Sequence, residues 1–230
     1  MSGASSLSDV GVLIPAGGRG ERAGPGGPKQ LRPIGGAPML LRALRPFAQH
    51  PRVRQIVIAL PKEVIDHPPN WLRELAGDRL RLVPGGETRQ ASVACALAAL
   101  HPDCRIVLVH DAARPFVTNA EIDPVIDAAE TGNAALVAIP ISDTLKRTND
   151  GRTVTETISR EGLWRAQTPQ GFPREILEKA HERVADATLT DDTALVEAVG
   201  GTVVLVHGQS RNIKVTTPED FLLAEALVNT

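Results

Sequence analysis

The sequence contains no tyrosine, and phenylalanine and tryptophan bring its aromatic fraction to only 3%. So few aromatic rings disfavour a protein that stacks the bases of single-stranded nucleic acid on its surface. Lysine and arginine number 25 against 27 aspartates and glutamates, which gives a net charge of −2. Because proteins that bind nucleic acid through its phosphates are usually basic, we expect no nucleic-acid partner.

Cysteines and long apolar runs are also scarce. The two cysteines, Cys95 and Cys104, are too few for a disulfide framework or for a zinc site of their own. No apolar run approaches the roughly 20 residues of a membrane span, and residues 1–8 lack the features of a signal peptide. We therefore expect a reduced, cytoplasmic protein without membrane contact, in which Cys95 is a buried and inert thiol.

Short apolar runs rich in β-branched residues alternate with segments of helical periodicity. Strands are predicted at residues 10–15, 55–60, 80–83, 105–109, 134–139 and 202–206. Helices are predicted at residues 38–48, 88–100, 121–130, 174–187, 192–199 and 218–228. This alternation is typical of an α/β fold with a Rossmann-like, mostly parallel sheet and helices on both faces. A length of 230 residues fits a single domain of this kind.

Residues 142–165, which we call the arm, break this alternation. The centre of the arm is Asn149-Asp150-Gly151, and the residues after it alternate and are rich in threonine and valine. Both features are typical of a β-hairpin. The arm is either a surface hairpin or a dimerisation arm. We favour the second, because an isolated two-stranded hairpin is only marginally stable.

A glycine-rich loop follows the first predicted strand, with the sequence Ala16-Gly17-Gly18-Arg19-Gly20-Glu21-Arg22 and then Pro28-Lys29-Gln30. Glycines let backbone N–H groups approach an anion, and Arg22 and Lys29 add charge suited to phosphate oxygens. No acidic residue lies between Arg22 and Lys62, so the carboxylate that holds a ribose in dinucleotide sites is missing. Lys29 also lacks the neighbours it would have in a P-loop. The loop predicts a polyphosphate site, with a structural turn as the alternative.

Polar residues also follow the third and fourth predicted strands. Gly85, Gly86 and Ser92 could contact a base and a ribose, or could form an ordinary strand-to-helix turn. Asp111 follows the fourth strand, at the edge where parallel sheets bind ligands, and could hold Mg²⁺ directly or through water. Arg114 could pair with Asp111 and only fix the loop.

Three motifs complete the set: residues 164–172, residues 190–192 and residues 212–216. In the last of these, Lys214 is a candidate phosphate contact. Thr217, just after it, is predicted to cap the final helix.

In this order the motifs resemble those of the 2-C-methyl-D-erythritol 4-phosphate cytidylyltransferase family, over residues 10–228. The resemblance implies a homodimeric enzyme that uses Mg²⁺ or another divalent cation. It would join CTP to methylerythritol phosphate and release pyrophosphate, in non-mevalonate isoprenoid biosynthesis. A ribitol-5-phosphate cytidylyltransferase is the second candidate. A non-catalytic nucleotide-binding module is the third, although the presence of Arg22, Lys29 and Asp111 disfavours it.

The resemblance further implies a role for each matched residue. Arg22 and Lys29 would be catalytic and would stabilise charge at the α-phosphate. The residues implied to bind CTP are Ala16, Gly17, Gly18, Gly20, Gly85, Gly86, Ser92, Asp111 and Ala112, with Asp111 also at the metal ion. The residues implied to bind the polyol phosphate are Thr144, Arg160, Thr168, Thr190 and Lys214. Of these, Thr144 and Arg160 lie on the arm and would enter the neighbouring subunit's site.

Overall fold

A seven-stranded sheet organises the computed structural model, which describes residues 9–18, 28–184 and 189–229. The strands are β1 (Val10–Pro15), β2 (Pro33–Ile34), β3 (Ala37–Pro38), β4 (Val53–Leu60), β5 (Leu80–Pro84), β6 (Ile106–Val109), β7 (Ala134–Pro140), β8 (Leu145–Thr148), β9 (Val154–Ile158), β10 (Trp164–Pro173) and β11 (Val203–His207). The helices are α1 (Met39–Gln49), α2 (Lys62–Asp66), α3 (Asn70–Ala76), α4 (Arg89–Ala98), α5 (Asn119–Glu130), α6 (Arg174–Arg183), α7 (Asp192–Ala198) and α8 (Pro218–Val228).

The main sheet has the strand order β11-β7-β10-β6-β1-β4-β5. Strand β10 is antiparallel to both of its neighbours, and the other strand pairs of this sheet are parallel. The predicted mostly parallel α/β fold is therefore confirmed. The carboxyl ends of β1, β4, β5 and β6 lie along one edge, which we call the ligand edge.

The central strand β1 explains why the sheet is covered on both faces. Val12 and Ile14 pack in a core with residues of α1 and α5, whereas Leu13 packs on the opposite face with residues of α4 and α6. All three side chains are fully buried. A strand with both faces covered shows no polar alternation, as the sequence of β1 indicates.

The helix predictions differ from the structure mainly in length. The predicted cap is confirmed, since Thr217 forms a capping box with Asp220 in α8. A second cap lies at the start of α4, where the Thr88 hydroxyl accepts from the backbone N–H of Ala91. Helix α6 ends at Arg183, before the predicted end at residue 187, and residues 185–188 lie outside the described residues. Cys95 is exposed on α4, so its predicted burial was wrong.

The arm contains the antiparallel pair β8–β9. At the hairpin turn, the Asp150 carboxylate accepts hydrogen bonds from the backbone N–H groups of Arg152 (2.8 Å) and Thr153 (2.7 Å). Trp164 and Arg165, which the prediction placed in the arm, pair with β7 and belong to the main sheet. The neck of the arm is closed by a 3.1 Å hydrogen bond from the N–H of Ile141 to the carbonyl of Leu163.

Among the described residues, none of the helices is both long enough and apolar enough to span a bilayer.

Candidate active site

Two adjoining cavities open at the ligand edge. The larger has a volume of about 770 Å³ and is formed by the segments that follow β1, β5 and β6. The smaller has a volume of about 190 Å³ and is bounded by β10 and the segment before α7. Three residues line both cavities: Arg89, Asp111 and Lys214. They define a junction at which two ligands could meet.

The larger cavity depends on close contact between two glycine loops. A Cβ atom placed on Gly85 would lie 2.9 Å from the Cα of Gly17, and one placed on Gly17 would lie 3.2 Å from the Cα of Gly85. The backbones therefore approach too closely for a side chain at Gly85, and they leave little room for one at Gly17. This contact brings the loop after β1 against the loop that leads into α4.

We expect Gly85→Ala to raise the dissociation constant for CTP, the nucleotide that the resemblance implies, and to lower the melting temperature. The added methyl group must push the backbone of Gly17 away, and backbone cannot move as cheaply as a flexible side chain. Calorimetric CTP titration and thermal unfolding measure the two effects. The matched variant is Gly18→Ala, because no atom of the described residues lies within 4 Å of a Cβ placed on Gly18, so the melting temperature should stay unchanged. Wild-type CTP affinity in Gly85→Ala would contradict the role of this contact.

Ser92 holds the shape of the second glycine loop. Its hydroxyl accepts from the N–H of Gly86 at 3.1 Å and donates to the carbonyl of Thr88 at 2.9 Å. The residue is only 3% exposed. These bonds give Ser92 a structural role in the cavity wall, and its contact with a ribose stays a prediction.

Asp111 is a buried carboxylate surrounded by cations. Arg89 Nε lies 3.1 Å from Oδ1, Lys214 Nζ lies 2.8 Å from Oδ2, and Arg114 Nε lies 4.0 Å from Oδ2. Burial alone would raise the pKa of Asp111, but the positive charges of Arg89, Lys214 and Arg114 hold it well below its usual range. Asp111 is therefore an anion at neutral pH, aimed at the junction.

His110, next to it, is fully buried and carries no charge at neutral pH. Burial lowers its pKa to about 4, so the ring is neutral at pH 7. Its Nε2 lies 3.1 Å from the carbonyl of Arg114, which can only accept, so Nε2 carries the proton. Nδ1 then accepts from the Thr168 hydroxyl at 3.0 Å, and that hydroxyl accepts from the N–H of Asp111, also at 3.0 Å. This chain of hydrogen bonds fixes β10 against the end of β6.

Lys29 lines the larger cavity, as predicted for a catalytic residue. Its ammonium group donates to the carbonyl of Val215 at 2.9 Å. The adjacent Gln30 donates through Nε2 to the carbonyl of Ala16 at 2.9 Å. Lys29 is thus held from two sides, by the first glycine loop and by the segment that carries Lys214.

The structure brings most of the predicted site residues together. Those lining the larger cavity are Ala16, Gly17, Gly18, Lys29, Gly86, Ser92, Asp111, Ala112 and Lys214. Those lining the smaller one are Thr168, Thr190, Asp111 and Lys214. Thr144 and Arg160 lie exposed on the arm and line neither cavity. Gly20 and Arg22 lie outside the described residues.

Sequence reasoning missed Arg89 as a site residue. It is the first residue of α4, directly after the cap Thr88, and it contacts both Asp111 and Asp192. Its position at a helix start on the ligand edge is a signal that could have identified it. Arg114, for which a pairing with Asp111 that only fixes the loop was one possibility, lies 4.0 Å from Asp111 and donates to the carbonyl of Asn212 at 2.7 Å. It also lines the smaller cavity.

Comparison with known proteins decides the family. The sequence model for 2-C-methyl-D-erythritol 4-phosphate cytidylyltransferase matches residues 10–230. The chain belongs to this cytidylyltransferase family. It is 47% identical over 219 residues to the cytidylyltransferase of Salinibacter ruber, with 94% of this chain and 91% of that protein covered. It is 44% identical to the Streptomyces coelicolor cytidylyltransferase, with 94% of this chain and 84% of that protein covered.

Solved structures of the cytidylyltransferase family share the fold. The crystal structure of the cytidylyltransferase from Thermus thermophilus superposes with a TM-score of 0.80 at 36% identity, covering 96% of this chain and all of that one. The enzyme from Francisella tularensis superposes with a TM-score of 0.78 at 29% identity, covering 95% and 99% of the two chains. The likeness therefore extends over the whole sheet that carries the two cavities.

Proposed function

We propose that this chain transfers the cytidylyl group of CTP to 2-C-methyl-D-erythritol 4-phosphate, giving 4-diphosphocytidyl-2-C-methyl-D-erythritol and pyrophosphate. Family membership supports this reaction as a step of isoprenoid biosynthesis. The observation that carries it in this chain is the junction, where Arg89, Asp111 and Lys214 line both cavities. The glycine loops of the larger cavity suit a triphosphate, and the smaller cavity suits a polyol phosphate.

The reaction needs charge stabilisation more than proton transfer. An oxygen of the alcohol phosphate attacks the α-phosphorus, the bond to the β-phosphate breaks, and the electron pair leaves with pyrophosphate. The attacking oxygen is already an anion near neutral pH, so no strong base is required. This agrees with the neutral and buried state of His110. Lys29 and Lys214 bring positive charge to the cavities in which the phosphates would meet.

A divalent cation fits this site only together with the substrate phosphates. Among the described residues, no group of three or more histidine, cysteine or acidic side chains could hold a metal ion by itself. Magnesium is commonly bound by one or two carboxylates plus phosphate oxygens, and Asp111 offers a carboxylate at the junction. Bound there, Mg²⁺ would neutralise charge on the triphosphate.

The direct test of the function is a pyrophosphate-release assay. CTP, UTP, ATP and GTP are each paired with methylerythritol phosphate and with ribitol 5-phosphate, with and without Mg²⁺. We expect release only from CTP with methylerythritol phosphate and only when Mg²⁺ is present. Preferential release with ribitol 5-phosphate would favour the second candidate reaction, and no release from any pair would contradict the transferase function.

The homodimer and the cytoplasmic location belong to the same proposal. Most residues of the arm are exposed, including Thr144 and Arg160. An exposed two-stranded hairpin gains stability by packing against another surface, and a second subunit would provide one. The two free cysteines, Cys95 and Cys104, suit a reducing compartment.

We expect Arg160→Ala to raise KM for methylerythritol phosphate and to leave the calorimetric affinity for CTP nearly unchanged. The reason is that Arg160 would contact the alcohol phosphate of the neighbouring site and not the nucleotide. The matched variant is Arg152→Ala, which removes another exposed arginine of the arm, at the hairpin turn. A loss of CTP binding in Arg160→Ala would show that the residue is misplaced in this proposal.

Subunit exchange tests whether the arm crosses to the partner. A mixture of Arg160→Ala and Lys29→Ala subunits contains heterodimers in which one site keeps both native residues, if Arg160 acts in trans. Activity should then recover relative to either variant alone. If the variants exchange subunits, as shown by mass spectrometry, and no activity returns, the trans contribution of the arm is wrong.

A further inference from the structure

Arg89 connects the two cavities through a pair of carboxylates. Its Nε lies 3.1 Å from Asp111 Oδ1, and its Nη1 lies 2.6 Å from Asp192 Oδ2. The three residues come from different elements: Arg89 begins α4, Asp111 follows β6, and Asp192 begins α7. One guanidinium group therefore ties the start of α4 to the start of α7, directly after Asp191 in the wall of the smaller cavity.

The Asp192 end of this bridge is enclosed. The Asp192 side chain is only 1% exposed, and its second carboxylate oxygen lies 3.5 Å from His181 Nε2 without a hydrogen bond to any described residue. The backbone N–H of Asp192 also donates to Gln170 Oε1 at 3.2 Å. Because Asp192 is enclosed and lies in the first turn of α7, it gives Arg89 a fixed anchor.

Lys214 contacts the other carboxylate oxygen of Asp111, and its side chain is less restrained than that of Arg89. Its side chain is 45% exposed, against 29% for Arg89, and it contacts Asp111 Oδ2 with a single ammonium group. A long exposed lysine can turn toward a phosphate at modest cost. Arg89 cannot do so without breaking its bond to the buried Asp192. The two cations are thus suited to different tasks.

We propose that Arg89 is a positioning residue for the transfer reaction. Its ion pair with Asp192 fixes the guanidinium group, which in turn binds Asp111 Oδ1 and keeps Oδ2 directed at the junction of the two cavities. This inference rests on the proposed function. Its physical basis is that transfer between two bound phosphates depends on their mutual alignment. Arg89 would fix the carboxylate and the start of α7 relative to each other, so that both substrates meet in one geometry.

The test compares Arg89→Gln, Arg89→Lys, Asp192→Asn and the double variant Arg89→Gln/Asp192→Asn. We expect Arg89→Gln to lower kcat by on the order of 10²-fold, which is the cost of a misalignment of about 1 Å. CTP affinity, measured by calorimetry, should change much less than kcat. Arg89→Lys should recover part of kcat, because its ammonium restores the charge but cannot fork between two carboxylates.

Asp192→Asn separates positioning from simple charge balance. It leaves Arg89 and its charge in place but weakens the anchor, so we expect a roughly tenfold lower kcat, smaller than the effect of Arg89→Gln. The double variant should be no slower than Arg89→Gln alone, because both changes act through one bridge. A wild-type kcat in Asp192→Asn would overturn the inference. So would a double variant in which the fold decrease in kcat equals the product of the fold decreases in the two single variants.

Arg52→Gln is a matched control. Arg52 also bridges two carboxylates, Asp9 at 3.2 Å and Glu130 at 2.6 Å, but at the opposite edge of the sheet. This variant should lower the melting temperature and keep wild-type kcat. An equal loss of kcat in Arg52→Gln would make the effect one of stability and overturn the inference. If the wild type is active and Arg89→Gln has the same kcat, only this inference is contradicted. If the wild type itself releases no pyrophosphate, the proposed function is contradicted.

Discussion

Lys29→Ala is expected to lower kcat by on the order of 10²-fold or more, with much smaller changes in KM for either substrate. The ammonium group lines the larger cavity and is held by the carbonyl of Val215, so its charge is already in place before the substrates arrive. An interaction that strengthens as charge develops on the α-phosphate lowers the barrier more than it aids binding. Steady-state kinetics with both substrates varied measures the effect.

Two further variants show whether the loss belongs to the charge of Lys29. Lys29→Arg keeps a cation and should retain more kcat than Lys29→Ala. Lys179→Ala removes an exposed lysine of α6 and should have no effect on kcat. An unchanged kcat in Lys29→Ala would remove the residue from the catalytic assignment.

Asp111→Asn is expected to lower kcat by on the order of 10²- to 10³-fold, the range found when one preorganised electrostatic group is removed. The amide has nearly the same shape as the carboxylate but carries no charge to balance Arg89 and Lys214. It is also a poor ligand for a divalent cation. Pyrophosphate release measured over a range of Mg²⁺ concentrations checks the loss, and full activity at high Mg²⁺ would contradict the catalytic part of this role.

The same substitution should destabilise the protein in a pH-dependent way. The folded-state pKa of Asp111 lies below the ordinary value of 3.8, so its charge contributes stability that is present above that value. This contribution is lost as the pH falls from 3.8 through the folded-state pKa. Urea unfolding of the metal-free protein should therefore show a large difference between wild type and Asp111→Asn at pH 7, and a smaller one at pH 3.

Asp9→Asn is the matched control for Asp111→Asn. The Asp9 side chain is 9% exposed, against 10% for Asp111, and it also contacts two arginines, Arg52 at 3.2 Å and Arg105 at 3.1 Å. It lies before β1, at the edge opposite the cavities. Asp9→Asn should lower stability but leave kcat intact, which separates the loss of a buried ion pair from the loss of catalysis.

The central strands could be predicted from the sequence because burial on both faces requires continuous apolar runs. Strands β1 and β6 are of this kind, and all four residues of β6 are buried. Strand β10 could not be predicted in the same way, since Pro169, Gly171 and Pro173 are atypical of a strand interior. Helices α2 and α3, with 5 and 7 residues, are too short to establish a clear helical period.

The sequence could predict those site residues whose chemistry is apparent within a single loop. Lys29 was predicted because a basic residue in a glycine-rich loop suits phosphate oxygens, and Asp111 because it follows a buried strand at the edge where parallel sheets bind ligands. The partnership of Arg89 with Asp192 joins residues that are 103 positions apart, and no local pattern specifies such a contact. Two elements must fold before it exists, so the bridge between the cavities is a property of the tertiary structure.

The reversed direction of β10 has a consequence for how this fold can be modified. Because β10 is antiparallel to β7, the chain leaves and re-enters the sheet at the same edge, where Pro140 pairs with Trp164. The hydrogen bond between Ile141 and Leu163 then closes the neck of the arm. The hairpin beyond is a loop with fixed ends, and lengthening such a loop costs little entropy. We therefore expect that the hairpin can be shortened, extended or replaced while the sheet and both cavities keep their geometry.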